Sequence, residues 1–509
     1  MACDTMSLED KHVHIMNENP TSWWLVGFSM PLWKGGLVPR LATCDYLYPA
    51  ICRYIQTIRM ITIAMIYDFI TNMYFTGMTL GVMIHLSRAK APEVFRGFWL
   101  FFCISKYLKE EIYMEYEISN RLSGVHGSMI RELFKLGASK DIISFGGGNP
   151  SAETFPCKEI EEIAAKGLGE NPVSLLQYGL SEGYTPLRDT MKKYLEKKEG
   201  FDFENNELFI VSGGQQCADL TTKALVNEGD VVLTEEPAFV GCLNTFRSYG
   251  AKLVGIPMEQ DGMNINALEE ALKANPDAKL LYTIPSFQNP TGITTSLEKR
   301  KKVYELCCKY DIAILEDNPY GELRFAGKNV PTIKSMDTEG RVIYAGSFSK
   351  VMAPAFRLGF LVFNKSLTGP LTVAKQCTDV HSTVLFQYIC NEYINNYDFD
   401  KHLEDSRKVY EHKCNLMMEC MKKEFHPSVT FGHPEGGLFV MAFLPEGMDS
   451  APFVREAINR GVLSVPGAAF LADESQKSNG FRLNYSTPSD EQIVKGIEIL
   501  GKLTYEWIK

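Results

Sequence analysis

The sequence predicts an α/β protein, a mostly parallel sheet sandwiched by helices and followed by a smaller α+β domain. Three observations carry this prediction. Short apolar runs recur from residue 207 onward: ELFIVS (207–212), DVVLTEE (230–236), KLVGIP (252–257), KLLYTIP (279–285), IAILED (312–317), RVIYAG (341–346) and LGFLVF (358–363). Most are β-branched and apolar on both faces, as strands buried between two helical layers are. Amphipathic stretches lie between them, and this βαβα order sets successive strands side by side and parallel. Near residue 370 the pattern changes to a long helical region, about 371–424, and then to short strands near GGLFVMAFL (436–444) and FRLNYS (481–486).

The parts follow in chain order. Residues 1–113 are rich in Ile, Met, Tyr, Phe and Trp and hold 10 Lys/Arg against 9 Asp/Glu. The run MITIAMIYDFITNMYFTGMTLGVMIHL (60–86) is long enough to span a bilayer. Asp68 would be costly inside one. No signal-peptide layout precedes it. KEEIYM (109–114) can be encoded by a purine-rich bacterial ribosome-binding site ahead of Met114. Residues 1–113 therefore read as a membrane anchor, a packed extension or translated upstream DNA. The expectation is the last, with Met114 the natural start and 114–155 an N-terminal arm. The large domain, 156–370, holds the strands. Within it TTSLEKRKKVYELCCKY (294–310) predicts a helix opened by a Thr295/Glu298 capping box. The small domain, 371–509, ends in an amphipathic helix. Ser489 and Gln492 open it as a capping box, and Ile493, Ile497, Leu500 and Trp507 share one face.

Composition narrows the function. Hydrophobic residues make up 45% and charged residues 22% of 509, enough to bury a sizeable core. A net charge of -10 argues against a nucleic-acid partner, which needs a basic face. The 13 cysteines are scattered without a CxxC pair, which favours neither a disulfide framework nor a zinc site and fits a reducing cytoplasm.

In such sheets ligands sit beyond the carboxyl ends of the strands. IVSGGQQCADLTTKAL (210–225) is strand, glycine turn, helix; free N–H groups there attract an anion, although a plain βα turn reads the same way. IPSFQNPTG (284–292) ends a strand with Asn289 on a rigid turn, either punctuation or an amide donor. ILEDNPY (314–320) puts Glu316 and Asp317 at a strand end, and one of two successive residues must face the crevice. Tyr320 adds a phenol. SFSK (347–350) ends the next strand, with Arg357 seven residues on. Burial and a neighbouring cation both lower a lysine's pKa and free its amine. Singly, each has an ordinary structural explanation. Together they are the groups pyridoxal 5′-phosphate needs: an imine-forming lysine, a carboxylate for the ring nitrogen, donors for the ring oxygen and an anion site.

From about Tyr116 onward the sequence resembles the fold-type I pyridoxal-phosphate aminotransferases of class I/II, nearest their 2-aminoadipate/kynurenine branch. SxIREL, IISFxGGxP, QYxxxEGYxPLR, NPTG, EDNPY, SFSK…RLG and FRLNYS occur in order. The resemblance implies that Lys350 holds the cofactor as an imine and shuttles the substrate proton. It implies that Asp317 pairs with the ring nitrogen and that Asn289 and Tyr320 bond the ring oxygen. Gly214, Gln215, Ser347, Ser349 and Arg357 are to bind the phosphate. Arg482 is to grip the substrate carboxylate, helped by the backbone near Gly147. Tyr178 is to reach the phosphate of a second subunit, so a homodimer is implied. Two positions depart from the pattern: Gly214 replaces a hydroxyl residue, and Phe239 replaces the tyrosine that stacks on the ring.

The implied activity is transfer of an amino group from an L-amino acid to a 2-oxo acid. A same-fold lyase or decarboxylase shares these residues and is the alternative. A ligand-sensing regulator carrying this domain lies further behind, because residues 1–113 lack a basic helix-turn-helix. A membrane partner is expected only if residues 1–113 are native. The donor side chain is not readable from sequence.

Overall fold

All seven predicted strands form, each within two residues of its predicted bounds. They are β2 (Asn206–Val211), β3 (Val231–Glu236), β4 (Lys252–Glu259), β6 (Leu280–Thr283), β7 (Ala313–Asn318), β8 (Val342–Ser347) and β9 (Gly359–Asn364). With β5 (Gly262–Met263) they make an eight-stranded sheet in the order β2-β9-β8-β7-β6-β3-β4-β5. This computed structural model describes residues 116–123, 125 and 142–509. The predicted extension 1–113 and the start at Met114 lie outside them. Residues Tyr116–Lys509 form one compact unit.

The centre of the sheet is parallel, as the βαβα order requires: β4, β3, β6, β7 and β8 run the same way. Strand β9 does not. It is antiparallel to both β8 and β2. Ser347 at the end of β8 and Val211 at the end of β2 therefore both pair with Gly359 at the start of β9. One sheet edge thus collects the carboxyl ends of β2, β8, β7, β6 and β3 together with the amino end of β9. The strands are buried on both faces: Leu208, Phe209, Ile210, Val232, Leu233, Leu281, Ile314 and Leu361 have no exposed surface. Burial at roughly 25 cal/mol per Å² of apolar area is what holds such a sheet between its helices.

Two expectations at helix level are corrected. The helix predicted over 294–310 runs Leu297–Lys309, and its capping side chain is Ser296, which accepts from the Lys299 N–H, not Thr295. Thr295 is drawn inward: its N–H donates to Pro285 O, and its own carbonyl accepts from buried Arg300. The region predicted as helical over 371–424 is three helices, Thr368–Gln376, Val384–Asn396 and Phe399–Glu424. The terminal helix, Asp490–Trp507, has the predicted Ser489/Gln492 capping box, and Ile493, Ile497 and Leu500 are fully buried.

The C-terminal strands β10 (Thr430–Phe431), β11 (Phe439–Phe443), β13 (Val465–Pro466) and β14 (Gly480–Asn484) form a second sheet in the order β10-β11-β14-β13. A two-stranded pairing joins β1 (Ile143–Ser144) to β12 (Val462–Leu463). Among the described residues no helix is long and apolar enough to cross a membrane.

Candidate active site

The collected strand ends open onto a cleft of about 470 Å³. Ligand sites typically fall at roughly 300–1,000 Å³. It is lined by Gly214, Gln215, Phe239, Asn289, Asp317, Tyr320, Ser347, Ser349, Lys350, Arg357 and Arg482. Eleven of the thirteen predicted site residues therefore meet in one place. Gly147 lies between two lining residues, Gly146 and Gly148. Tyr178 does not reach the cleft of its own chain; it is 81% exposed.

Lys350 follows β8 and is partly buried. Its Nζ donates to Gly148 O at 2.6 Å. Burial, with Arg357 and Arg482 nearby, pulls the ammonium down to about 8. Arg357 reaches the same edge because it lies two residues before the start of β9. It is exposed, and its backbone is left-handed (φ 50°). Its guanidinium packs against Gly213 (φ 85°), where an added Cβ would come within 2.5 Å of Nη2. Glycine is required there by both conformation and approach. The helix Gly214–Leu225 begins at this turn, so its free N–H groups and Arg357 face the same space. The Ser349 N–H donates to Ser347 Oγ at 3.1 Å, fixing the SFSK loop.

Alternation along β7 separates its two carboxylates. Glu316 points away and accepts from the N–H groups of Ile333 (2.9 Å) and Lys334 (2.7 Å). Asp317 faces the cleft, where the Tyr282 hydroxyl donates to its Oδ2 at 2.9 Å. Burial pushes Asp317 up to about 7. A cationic partner would restore its charge. Asn289 Nδ2 donates to the Tyr320 hydroxyl at 3.4 Å. Burial raises the Tyr320 phenol well above its ordinary value, so it keeps its proton as a donor.

Arg482, on β14, is buried. Its Nη1 donates to Asn289 Oδ1 at 2.7 Å and its Nη2 to Gly146 O at 2.6 Å, while Nε has no partner. Phe439 and Phe470 flank the guanidinium at 4.3 and 4.9 Å. Burial lowers it to about 10, still charged at neutral pH. Phe239 immediately precedes the helix Val240–Ser248. A Cβ on Gly241 would lie 2.6 Å from its ring, so the missing side chain lets the ring lie down.

Sequence reasoning missed Tyr282, Phe439 and Phe470. Tyr282 sits in KLLYTIP, where its hydroxyl is the one polar group that could have flagged it. The phenylalanines read as ordinary core.

These groups fit pyridoxal 5′-phosphate. The turn at Gly213 leaves room for an anion, the buried Asp317 carboxyl calls for a cation, and the orphaned Arg482 Nε calls for an acceptor. The comparisons agree. The chain matches the family "Aminotransferase class I and II" over residues 140–500. Aromatic-amino-acid aminotransferase 1 of Thermococcus litoralis is 38% identical over 415 residues, 80% of this chain and 99% of its own. The 2-aminoadipate transaminase of Thermus thermophilus is 36% identical over 381 residues, 74% of this chain and 94% of its own. The crystal structure of Pyrococcus horikoshii kynurenine aminotransferase, complexed with PMP, has a TM-score of 0.75 at 38% identity, covering 77% of this chain and 98% of that one. The family match and the relatives favour transamination over the lyase alternative. The chain belongs to the class I and II aminotransferases, pyridoxal 5′-phosphate enzymes of fold type I, in their aminoadipate/kynurenine branch.

Proposed function

We propose that Lys350 is the catalytic lysine of this aminotransferase, that the surrounding residues act in the roles their resemblance implies, and that the enzyme works as a homodimer on aromatic donors. One observation carries the reading: a single amine, depressed to about 8, stands in a cleft ringed by an acid, an amide, a phenol and two guanidiniums.

Bound there, pyridoxal 5′-phosphate supplies an electron sink for the pair left on the substrate Cα when its proton departs. Asp317 would hold the ring nitrogen, its Oδ2 steadied by Tyr282. Asn289 and Tyr320 would hold the ring oxygen as donors, and Phe239 would cover a ring face. The N–H groups at Gly214 and Gln215, with Ser347, Ser349 and Arg357, would take the phosphate. Arg482, with the backbone near Gly147, would take the substrate carboxylate as a bidentate fork. Its flanking phenylalanines keep water from the guanidinium and fix its plane. Lys350 Nζ, neutral in an appreciable fraction at pH 7–8, accepts the Cα proton and later returns it. Arg482 comes from the small domain (371–509) and Lys350 from the large one (156–370), with Gly146 and Gly148 of the arm (114–155) beside them.

The aromatic preference rests on the apolar lining, Phe239, Val240, Ile284 and Phe439, and on the aromatic-amino-acid and kynurenine aminotransferases among the Thermococcus and Pyrococcus relatives. The homodimer rests on Tyr178, too exposed to serve its own chain. A cytoplasmic setting rests on the scattered free cysteines.

The test is transamination of a panel of amino acids with 2-oxoglutarate by the wild type and Lys350→Ala, paired with borohydride reduction of the loaded enzyme. The expected result is aromatic donors ahead of 2-aminoadipate in kcat/KM, reductive fixation of the cofactor on the Lys350 peptide, and turnover lower by orders of magnitude in the variant. Near-normal turnover of Lys350→Ala overturns the lysine assignment, and a 2-aminoadipate preference overturns the aromatic one.

A further inference from the structure

Directly behind the glycine turn lies a buried ammonium that the chemistry above does not use. Lys375, on the helix Thr368–Gln376, has no exposed surface. Its Nζ donates to Gln216 Oε1 at 3.0 Å, Ser382 Oγ at 3.0 Å, and Asp379 Oδ1 and Oδ2 at 3.0 and 3.1 Å. Ser212 closes the ring. Its Oγ donates to Asp379 Oδ2 at 2.5 Å and lies 3.0 Å from Ser382 Oγ, and its N–H donates to Gln216 Oε1 at 2.7 Å. The strand end, the helix and the loop 379–382 thus meet at one ion pair, one residue before Gly213. Val380, in the middle of that loop, is a β-branched residue at φ 65°. Such strain persists where surrounding bonds over-determine the backbone. The loop is also held beyond the pair: Gln387 Nε2 donates to Ser382 O at 2.8 Å, while its Oε1 accepts from the Tyr184 N–H at 2.7 Å.

Asp379 is the group that needs a reason. A carboxylate behind an anion-binding turn opposes the anion it serves. Yet this carboxylate fixes the Ser212 hydroxyl at the start of the turn. A buried ammonium in contact with both its oxygens removes the opposing charge and keeps the hydrogen bonds.

We propose that Lys375 is a positioning residue for the phosphate turn: it is the counter-charge that lets Asp379 brace Ser212 and the Gly213–Gly214–Gln215 segment without repelling the cofactor phosphate. This rests on the reading that the turn and Arg357 take that phosphate. Substitutions here follow charge rather than bulk, which a purely structural role would not do.

The experiment measures equilibrium affinity of the cofactor-free enzyme for pyridoxal 5′-phosphate and for pyridoxal, which lacks the phosphate, and takes their ratio. The variants are Lys375→Met, Asp379→Asn, the two combined, and Arg357→Gln as the control. Arg357→Gln and Lys375→Met should each lower the ratio by about tenfold or more, the scale of a charge acting across several ångströms at an effective dielectric of about 20. Asp379→Asn should leave it unchanged or raise it. The double variant should return to within about threefold of wild type. An unchanged ratio in Lys375→Met, or a double variant as weak as Lys375→Met, overturns the proposal while Arg357→Gln still shows the phosphate reading intact. An unchanged ratio in Arg357→Gln overturns that reading and the proposal with it. Should Lys375→Met fail to fold, Asp379→Asn decides, and a tenfold loss of ratio there overturns the proposal.

Discussion

Lys350 and Arg357 stand at the same sheet edge and differ in what surrounds them. Lys350 is partly buried, with two guanidiniums lowering its pKa, whereas Arg357 is open to solvent. A lysine with a depressed pKa is neutral above that pKa and charged below it. The reaction of Lys350 in the cofactor-free enzyme with an amine-directed acylating reagent should therefore rise with pH and level off just above pH 8. Surface lysines keep rising to about 10.4. Peptide-resolved labelling across pH 6–11 measures this, and a midpoint above 10 would contradict the burial argument. At this scale the sequence was legible where a chemical group stood at a strand end. Lys350, Asp317, Asn289 and Tyr320 were found that way. Tyr282 and Lys375 were not, because each acts from behind a site residue, through contacts that exist only once the chain has folded.

Elements were legible where periodicity and burial agree. Every predicted strand formed because apolar, β-branched runs bounded by turns have few alternatives between two helical layers. Direction was not legible. The reversal of β9 depends on the short connection after β8, which turns at Arg357, a left-handed residue seven past Lys350. Helix starts divided by what each candidate cap does elsewhere. Ser489 was free to cap, whereas Thr295 was committed to the turn beneath it and Ser296 took its place. Ser296→Ala should cost about 0.5–2 kcal/mol in urea unfolding, and Glu298→Ala much less, since no capping box is present at this helix. Equal losses would restore the capping-box reading.

For the whole molecule, an exposed apolar run is the feature that a single chain leaves unexplained. Val173, Leu176, Tyr178 and Leu180 are each more than half exposed, and the Tyr178 ring meets His381 edge-on at 5.6 Å. Val380, beside His381, is 49% exposed as well. Exposed apolar side chains gathered this way are typical of association sites. For the homodimer proposed above, with Tyr178 reaching the second subunit's phosphate, Leu176→Glu should shift sedimentation from dimer to monomer and weaken cofactor binding together. A dimer that survives Leu176→Glu together with Leu180→Glu would place the interface elsewhere. The fold class was readable at this scale from element order alone, whereas this face was not, because exposure is a property of the packed chain.

The antiparallel run of β9 has a consequence in the arithmetic of the loop before it. Ser347 and Gly359 are partners across the sheet, so the residues between them form a closed loop with both feet nailed to neighbouring strands. Lys350 and Arg357 sit near opposite feet of that loop. One residue added or deleted near a foot would turn the adjacent side chain out of the cleft. The separation of the two cations is thus set by loop length, a quantity written in the number of residues rather than in their kind.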